Sequence, residues 1–335
     1  MKIDVFTHIF PKPYFDRMVK VAPKGKDMHK RVRNIPSIVN LEERFRIMDM
    51  FKDYAQVICL GSPPIEAFGS PPISTDMAKL ANDGMAELVR KYPDRFPGFI
   101  ASLPMNDPDG LLTETKRAIK DLGAVGVQIF TNVLGRPLTK PETMPLFDVM
   151  AEMDRPIWMH PARGADFPDY RSESKSHYEI WFVFGWPYET SVAMAHLVFS
   201  GLFDHHPDLK IITHHMGGMI PYFEGRVGPG WDQLGTRTSD EDYTLLLKKL
   251  KKRPWDYFHL FYADTALFGA REATVCGLKF FGPERVLFAS DSPFDPEKGS
   301  AYIRWTSEII DSLDIKPADR QAIYEGNARR LLKLK

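Results

Sequence analysis

Two cysteines in 335 residues, Cys59 and Cys276, both among apolar neighbours, leave no material for a disulfide framework. No apolar run approaches the roughly 18–20 residues that a membrane span needs. The opening Met1-Lys2-Ile3-Asp4-Val5-Phe6-Thr7-His8 carries charge where a secretory signal needs its apolar stretch. Neither sign of charge is in excess, since 44 Lys and Arg balance 44 Asp and Glu. That removes the electrostatic footprint of a nucleic-acid binder and of a basic membrane-surface helix. No phosphate loop and no G-x-G-x-x-G follows a candidate strand, so nucleotide-binding folds lose support. These absences predict a soluble, cytoplasmic globular protein with no nucleic-acid or membrane partner.

What is present is core material: 44% of the residues are hydrophobic, 23 of them phenylalanine. Short β-rich runs recur at Ile3–Phe6, Gln56–Leu60, Gly98–Leu103, Gly126–Phe130, Pro156–His160, Lys210–Thr213, His259–Ala263 and Arg285–Ala289. Helical periodicity fills the gaps at Leu41–Phe51, Ser74–Lys91, Asp109–Asp121, Met144–Met153, Thr190–Phe203, Arg271–Phe281 and Ala301–Ser312. Eight alternating units predict an α/β fold, a (β/α)8 TIM barrel, and a single domain over residues 1–335. Stretches near 11–40, 61–72 and 161–187 exceed plain connections and read as insertions at the strand C-terminal ends. The third carries Tyr178, Trp181, Phe182, Phe184 and Trp186.

Barrel chemistry sits where strands end. His8, His160, His214, His215, Asp264 and Asp291 all fall there, as do Thr131 and Asn132. Each histidine alone is more often a satisfied core residue; together on one rim they have the composition of a metal site. Asp291, after the apolar Leu287-Phe288-Ala289, suits a metal-bound carboxylate or a proton carrier. Thr131 and Asn132 either line the pocket or cap a loop. Trp181 and Phe182 either cover an aromatic ring or pack the core. Arg31 and Arg33 either reach an anionic substrate or belong to a solvated basic loop, the reading preferred here.

Ile3-Asp4-Val5-Phe6-Thr7-His8-Ile9-Phe10-Pro11, His160-Pro161, His215-Met216-Gly217-Gly218 and Ser290-Asp291-Ser292-Pro293-Phe294 resemble the amidohydrolase-2 group of the amidohydrolase superfamily. Matching stretches run in order through almost the whole chain, including Tyr92-Pro93-Asp94-Arg95-Phe96 and Gly326-Asn327-Ala328. Aminocarboxymuconate-semialdehyde decarboxylase and the hydroxybenzoate decarboxylases belong to that group. The resemblance implies a barrel of the metal-dependent hydrolase type with one divalent metal, Zn²⁺ or Mn²⁺. It places His8, His160 and Asp291 on ligand positions and His215, with Asp291, on acid–base duty. Arg226 falls on an arginine that crosses a dimer interface to a substrate carboxylate, which implies a homodimer. Phe6, Thr131, Asn132, Trp181, Phe182 and Phe294 are the other candidate substrate contacts.

One departure matters: the first histidine of the usual His-x-His pair is Phe6, which cannot ligate a metal. His214 could supply a further ligand, but strand alternation would turn it away from His215. The site is therefore either a three-ligand metal centre or a metal-poor one. The favoured activity is non-oxidative decarboxylation of an aromatic or dienoic carboxylic acid, a carbon–carbon lyase reaction. A metal-dependent hydrolase or hydratase is the alternative, and a barrel that binds small acids without turnover is a third.

Overall fold

Strand-forming runs here are short and flanked by polar or proline residues, and each pairs in parallel with the next in the chain. The computed structural model describes residues 1–24 and 27–334. Its barrel strands are β1 (Lys2–His8), β2 (Tyr54–Cys59), β3 (Gly98–Ser102), β4 (Gly126–Phe130), β5 (Ile157–His160), β6 (Ile211–Thr213), β7 (Tyr262–Asp264) and β8 (Val286–Leu287). They hydrogen-bond in that order as one eight-stranded sheet. Closure is made by Val5 N–H donating to Phe288 O at 3.0 Å and Asp291 N–H donating to Phe6 O at 3.2 Å. The result is the (β/α)8 barrel expected from the alternation of elements.

The core divides as the pleat requires. Val5, Phe6, Val57, Ile100, Trp158, Ile212 and Leu287 fill the barrel interior. Outward-facing Ile58, Phe99, Val127 and Ile211 pack with helix residues such as Met77, Leu111, Phe147 and Leu197. The ladder levels the strand ends, pairing Phe130 with His160, Met159 with Thr213, and His8 with Cys59. A register shift between Asp4 and Thr7 bulges β1, a device that re-aims side chains at a barrel rim.

Two strands differ from expectation. β7 starts at Tyr262 because Pro254 opens a short helix, Pro254–Phe258, that His259 caps. β8 is only Val286–Leu287. Beyond it the Thr265 hydroxyl replaces the ladder, accepting from Ala289 N–H and donating to Ala289 O. The helix expected at 190–203 begins at Gly185 and breaks after Phe199, where Gly201 takes a φ of 76°.

The insertions are largely structured. The first forms helices Lys12–Val21 and Met28–Val32, and the second a 3₁₀ turn, Ile65–Phe68. The third is irregular up to a short helix, Ile180–Val183. Among the described residues no helix is long and apolar enough to cross a membrane.

Candidate active site

His8 ends β1, and Arg44 fixes that end from outside the barrel by donating to His8 O at 2.6 Å. The buried imidazole has an acceptor at each nitrogen: Leu60 O lies 3.0 Å from Nδ1 and Asp291 Oδ1 lies 2.8 Å from Nε2. Asp291 holds a φ of 64°, a left-handed backbone that aspartate tolerates better than most residues. Its other oxygen stands 3.8 Å from His215 Nε2. Burial alone would raise this carboxyl, but His215 and His8 outweigh it and hold Asp291 well below the usual carboxylate range. The rim thus carries one anion between two imidazoles.

His160 ends β5 and directs Nδ1 to Pro161 O at 2.6 Å. Burial, reinforced by His214, His215 and His8, pushes its pKa well below the histidine range, so the ring is neutral. His214 and His215 leave β6 as a pair, and alternation does not separate them. His215 and Met216 have φ of 54° and 55°, so the chain has already abandoned strand geometry. Both rings therefore reach the interior, 6.1 Å apart. Gly218 continues the turn; a Cβ there would lie 2.5 Å from Pro187 O. Asp264, at the end of β7, binds His214 Nδ1 and accepts from His215 N–H at 3.0 Å. It positions both histidines.

The candidate substrate contacts separate into two groups. Phe294 and Phe182 line a small cavity of about 20 Å³ together with Arg31, Ser62, His160 and Asp291. Trp181 and Asn132 line a larger neighbouring one. Phe6 is not a pocket wall: fully buried, its ring stacks on His214 at 3.3 Å and meets His8 edge-on at 4.4 Å. It forms the floor beneath the imidazoles because the β1 bulge turns it inward. Thr131 lines neither cavity, its hydroxyl accepting from Ala162 N–H at 2.9 Å. Arg226 is exposed and lies in neither cavity.

Arg31 is exposed, as the solvated-loop reading expects, yet its guanidinium turns inward. It reaches the small cavity, donates to Phe294 O and lies 5.7 Å over the Phe294 ring. Arg33 instead donates to Ala22 O and Pro23 O. Ser62, Phe268 and Tyr302 also line the small cavity and were not singled out by the sequence. Tyr302 comes from the helix after β8, a place that strand-end logic does not search.

Whether these donors suit a divalent metal turns on their free lone pairs. His160 donates Nδ1–H to a carbonyl, which leaves Nε2 as a base. A cation replacing the proton between His8 Nε2 and Asp291 Oδ1 would leave His8 anchored on Leu60 O and Asp291 anionic. The donor chemistry of His8, His160 and Asp291 therefore fits. Among the described residues no three His, Cys, Asp or Glu side chains are already gathered at a common ligation distance. Asp291 is instead closed onto His8.

Comparisons with known proteins identify the family. The γ-resorcylate decarboxylase of Rhizobium sp. (strain MTP-10005) is 31% identical, the match covering 88% of this chain and 87% of its own. The 2-amino-3-carboxymuconate-6-semialdehyde decarboxylase of Dictyostelium discoideum is 28% identical, the match covering 100% of this chain and 92% of its own. A crystal structure of a dihydroxybenzoic acid decarboxylase from Polaromonas sp. JS666, with bound manganese and the inhibitor 2-nitroresorcinol, superposes with a TM-score of 0.78. It is 26% identical and covers 99% of this chain and 96% of its own. The amidohydrolase family model matches residues 27–334, from the first insertion through Asp291 to the last helix, and this chain belongs to that family.

Proposed function

We propose that the chain is a non-oxidative decarboxylase, a carboxy-lyase acting on a small aromatic or dienoic carboxylic acid. The observation that carries this reading is the Asp291 carboxylate held between His8 and His215 at the base of an apolar cavity with Arg31 on its wall. Arg31 suits the incoming carboxylate, while Phe182, Phe294 and Trp186 exclude water. Loss of CO2 needs a proton delivered to the carbon that bears it. As CO2 departs, the electron pair of the broken C–C bond stays on that carbon. Asp291 is held as an anion, so His215, 3.8 Å from its free oxygen, is the better donor. His160, neutral, orients the acid.

A divalent metal, Zn²⁺ or Mn²⁺, when held by His8, His160 and Asp291, would supply positive charge for the carboxylate and an adjacent hydroxyl. The chain acts as one domain over residues 1–335 and as a homodimer, with exposed Arg226 offered to a partner's site. Cys59 and Cys276, both unpaired, suit a reducing compartment, the cytoplasm.

The test is CO2 release from a panel of 2-hydroxybenzoates by wild type and His215→Asn. Wild type should release CO2, and the variant should be slower by roughly 10²–10⁴-fold. Hydrolysis or hydration products without CO2, or an unimpaired variant, would overturn the assignment.

A further inference from the structure

The reactive groups and the available space lie in different places. The cavity at Asp291 and His160 has a volume of about 20 Å³, room for a carboxyl-sized group and little more than one water. Beside it opens a chamber of about 410 Å³, the size of pockets that enclose drug-sized ligands. Met28, Ser62 and Trp186 line both, so a molecule whose carboxyl enters the small cavity extends into the large one.

The chamber walls say what kind of extension fits. All three insertions contribute, through Met28, Pro63, Pro64, Phe167, Trp181 and Trp186, giving a mainly apolar wall with three aromatic rings. Its arginine, Arg163, is already engaged, with Nη1 2.8 Å from Glu189 Oε1 and its guanidinium 5.0 Å over the Phe167 ring. His29, on the same wall, is lowered chiefly by burial, so it supplies no cation near neutral pH. Asp27 and Asp166 add two carboxyl groups, and among the described residues neither forms an ion pair with a lysine or arginine. Among the described residues, a second carboxylate on the substrate would meet like charge and no free cation.

We propose that the substrate is an aromatic monocarboxylic acid bearing a bulky uncharged extension, its carboxyl in the small cavity and its extension against Trp181 and Trp186 in the chamber. The proposal deepens the decarboxylase reading and rests on it for the reactive end only.

Calorimetric titration separates the two. The probes are 2-hydroxybenzoate, its 4-phenyl and 5-phenyl derivatives, and its 4-carboxy derivative. At least one phenyl acid should bind about tenfold or more tighter than the one-ring acid, and the diacid should bind most weakly. Ala67→Trp, at an exposed chamber residue outside the reactive cavity, should erase the phenyl advantage and leave the one-ring acid within about twofold. A diacid that binds as tightly as the phenyl acids, or a phenyl advantage that is absent or survives Ala67→Trp, would overturn the proposal. Absence of CO2 release from every probe would remove the decarboxylase reading instead, while the binding order still decides the chamber.

Discussion

At the scale of single residues, Phe6 decides the character of the site. An aromatic ring stands where the family resemblance leads one to expect a histidine, and it stacks on His214 rather than facing the cavity. Phe6→His keeps an aromatic ring on His214 and returns a nitrogen donor. Its Mn²⁺ affinity, measured by calorimetry, should exceed that of wild type by about tenfold or more. Unchanged affinity would mean that position 6 lies too deep to reach the metal. The identities of His8, His160 and Asp291 could be read from the sequence because each follows an apolar strand, and topology alone sends strand ends to one rim. Arg31 and Tyr302 could not be read this way. Their approach to Asp291 depends on how an insertion and a helix fold over the barrel mouth, and no period in the sequence encodes that.

Among the elements, the 3₁₀ turn Ile65–Phe68 stores a pH dependence. Glu66 within it is buried, and among the described residues neither carboxyl oxygen has a hydrogen-bond partner beyond Glu66's own backbone. Burial pushes its pKa from 4.5 up to about 7. The folded state therefore retains a proton that the unfolded chain releases. The associated stability is complete below about pH 4.5 and is lost as the pH rises through 7, a change of about 3 kcal/mol. Glu66→Gln imitates the protonated form, so urea unfolding at pH 5 and pH 8 should show a smaller difference for the variant than for wild type. Equal differences in the two proteins would mean that Glu66 is hydrated in the native state. The strands were legible because short branched and aromatic runs are bounded by polar, proline or glycine residues. Their limits were less so, because Pro254 and the Thr265 hydroxyl alter the ladder locally.

For the whole molecule, surface composition bears on assembly. Tyr178, Phe184 and Tyr222 are exposed, residue types enriched in the cores of protein interfaces. Tyr222 lies four positions before Arg226. Light scattering should give twice the chain mass, and Arg226→Ala should raise KM for the acid without lowering thermal stability. A monomer with full activity would remove Arg226 from the site.

The joint between β8 and β1 has a consequence for how the protein comes into being. His8 and Asp291 are 283 positions apart in the chain, and they meet only where the last strand is laid beside the first. During synthesis the growing polypeptide carries His8 long before its partner, 283 positions later, has been added. The anion between the two imidazoles therefore arrives only when the barrel closes, and a product that stops before Asp291 lacks it however well its remaining strands assemble.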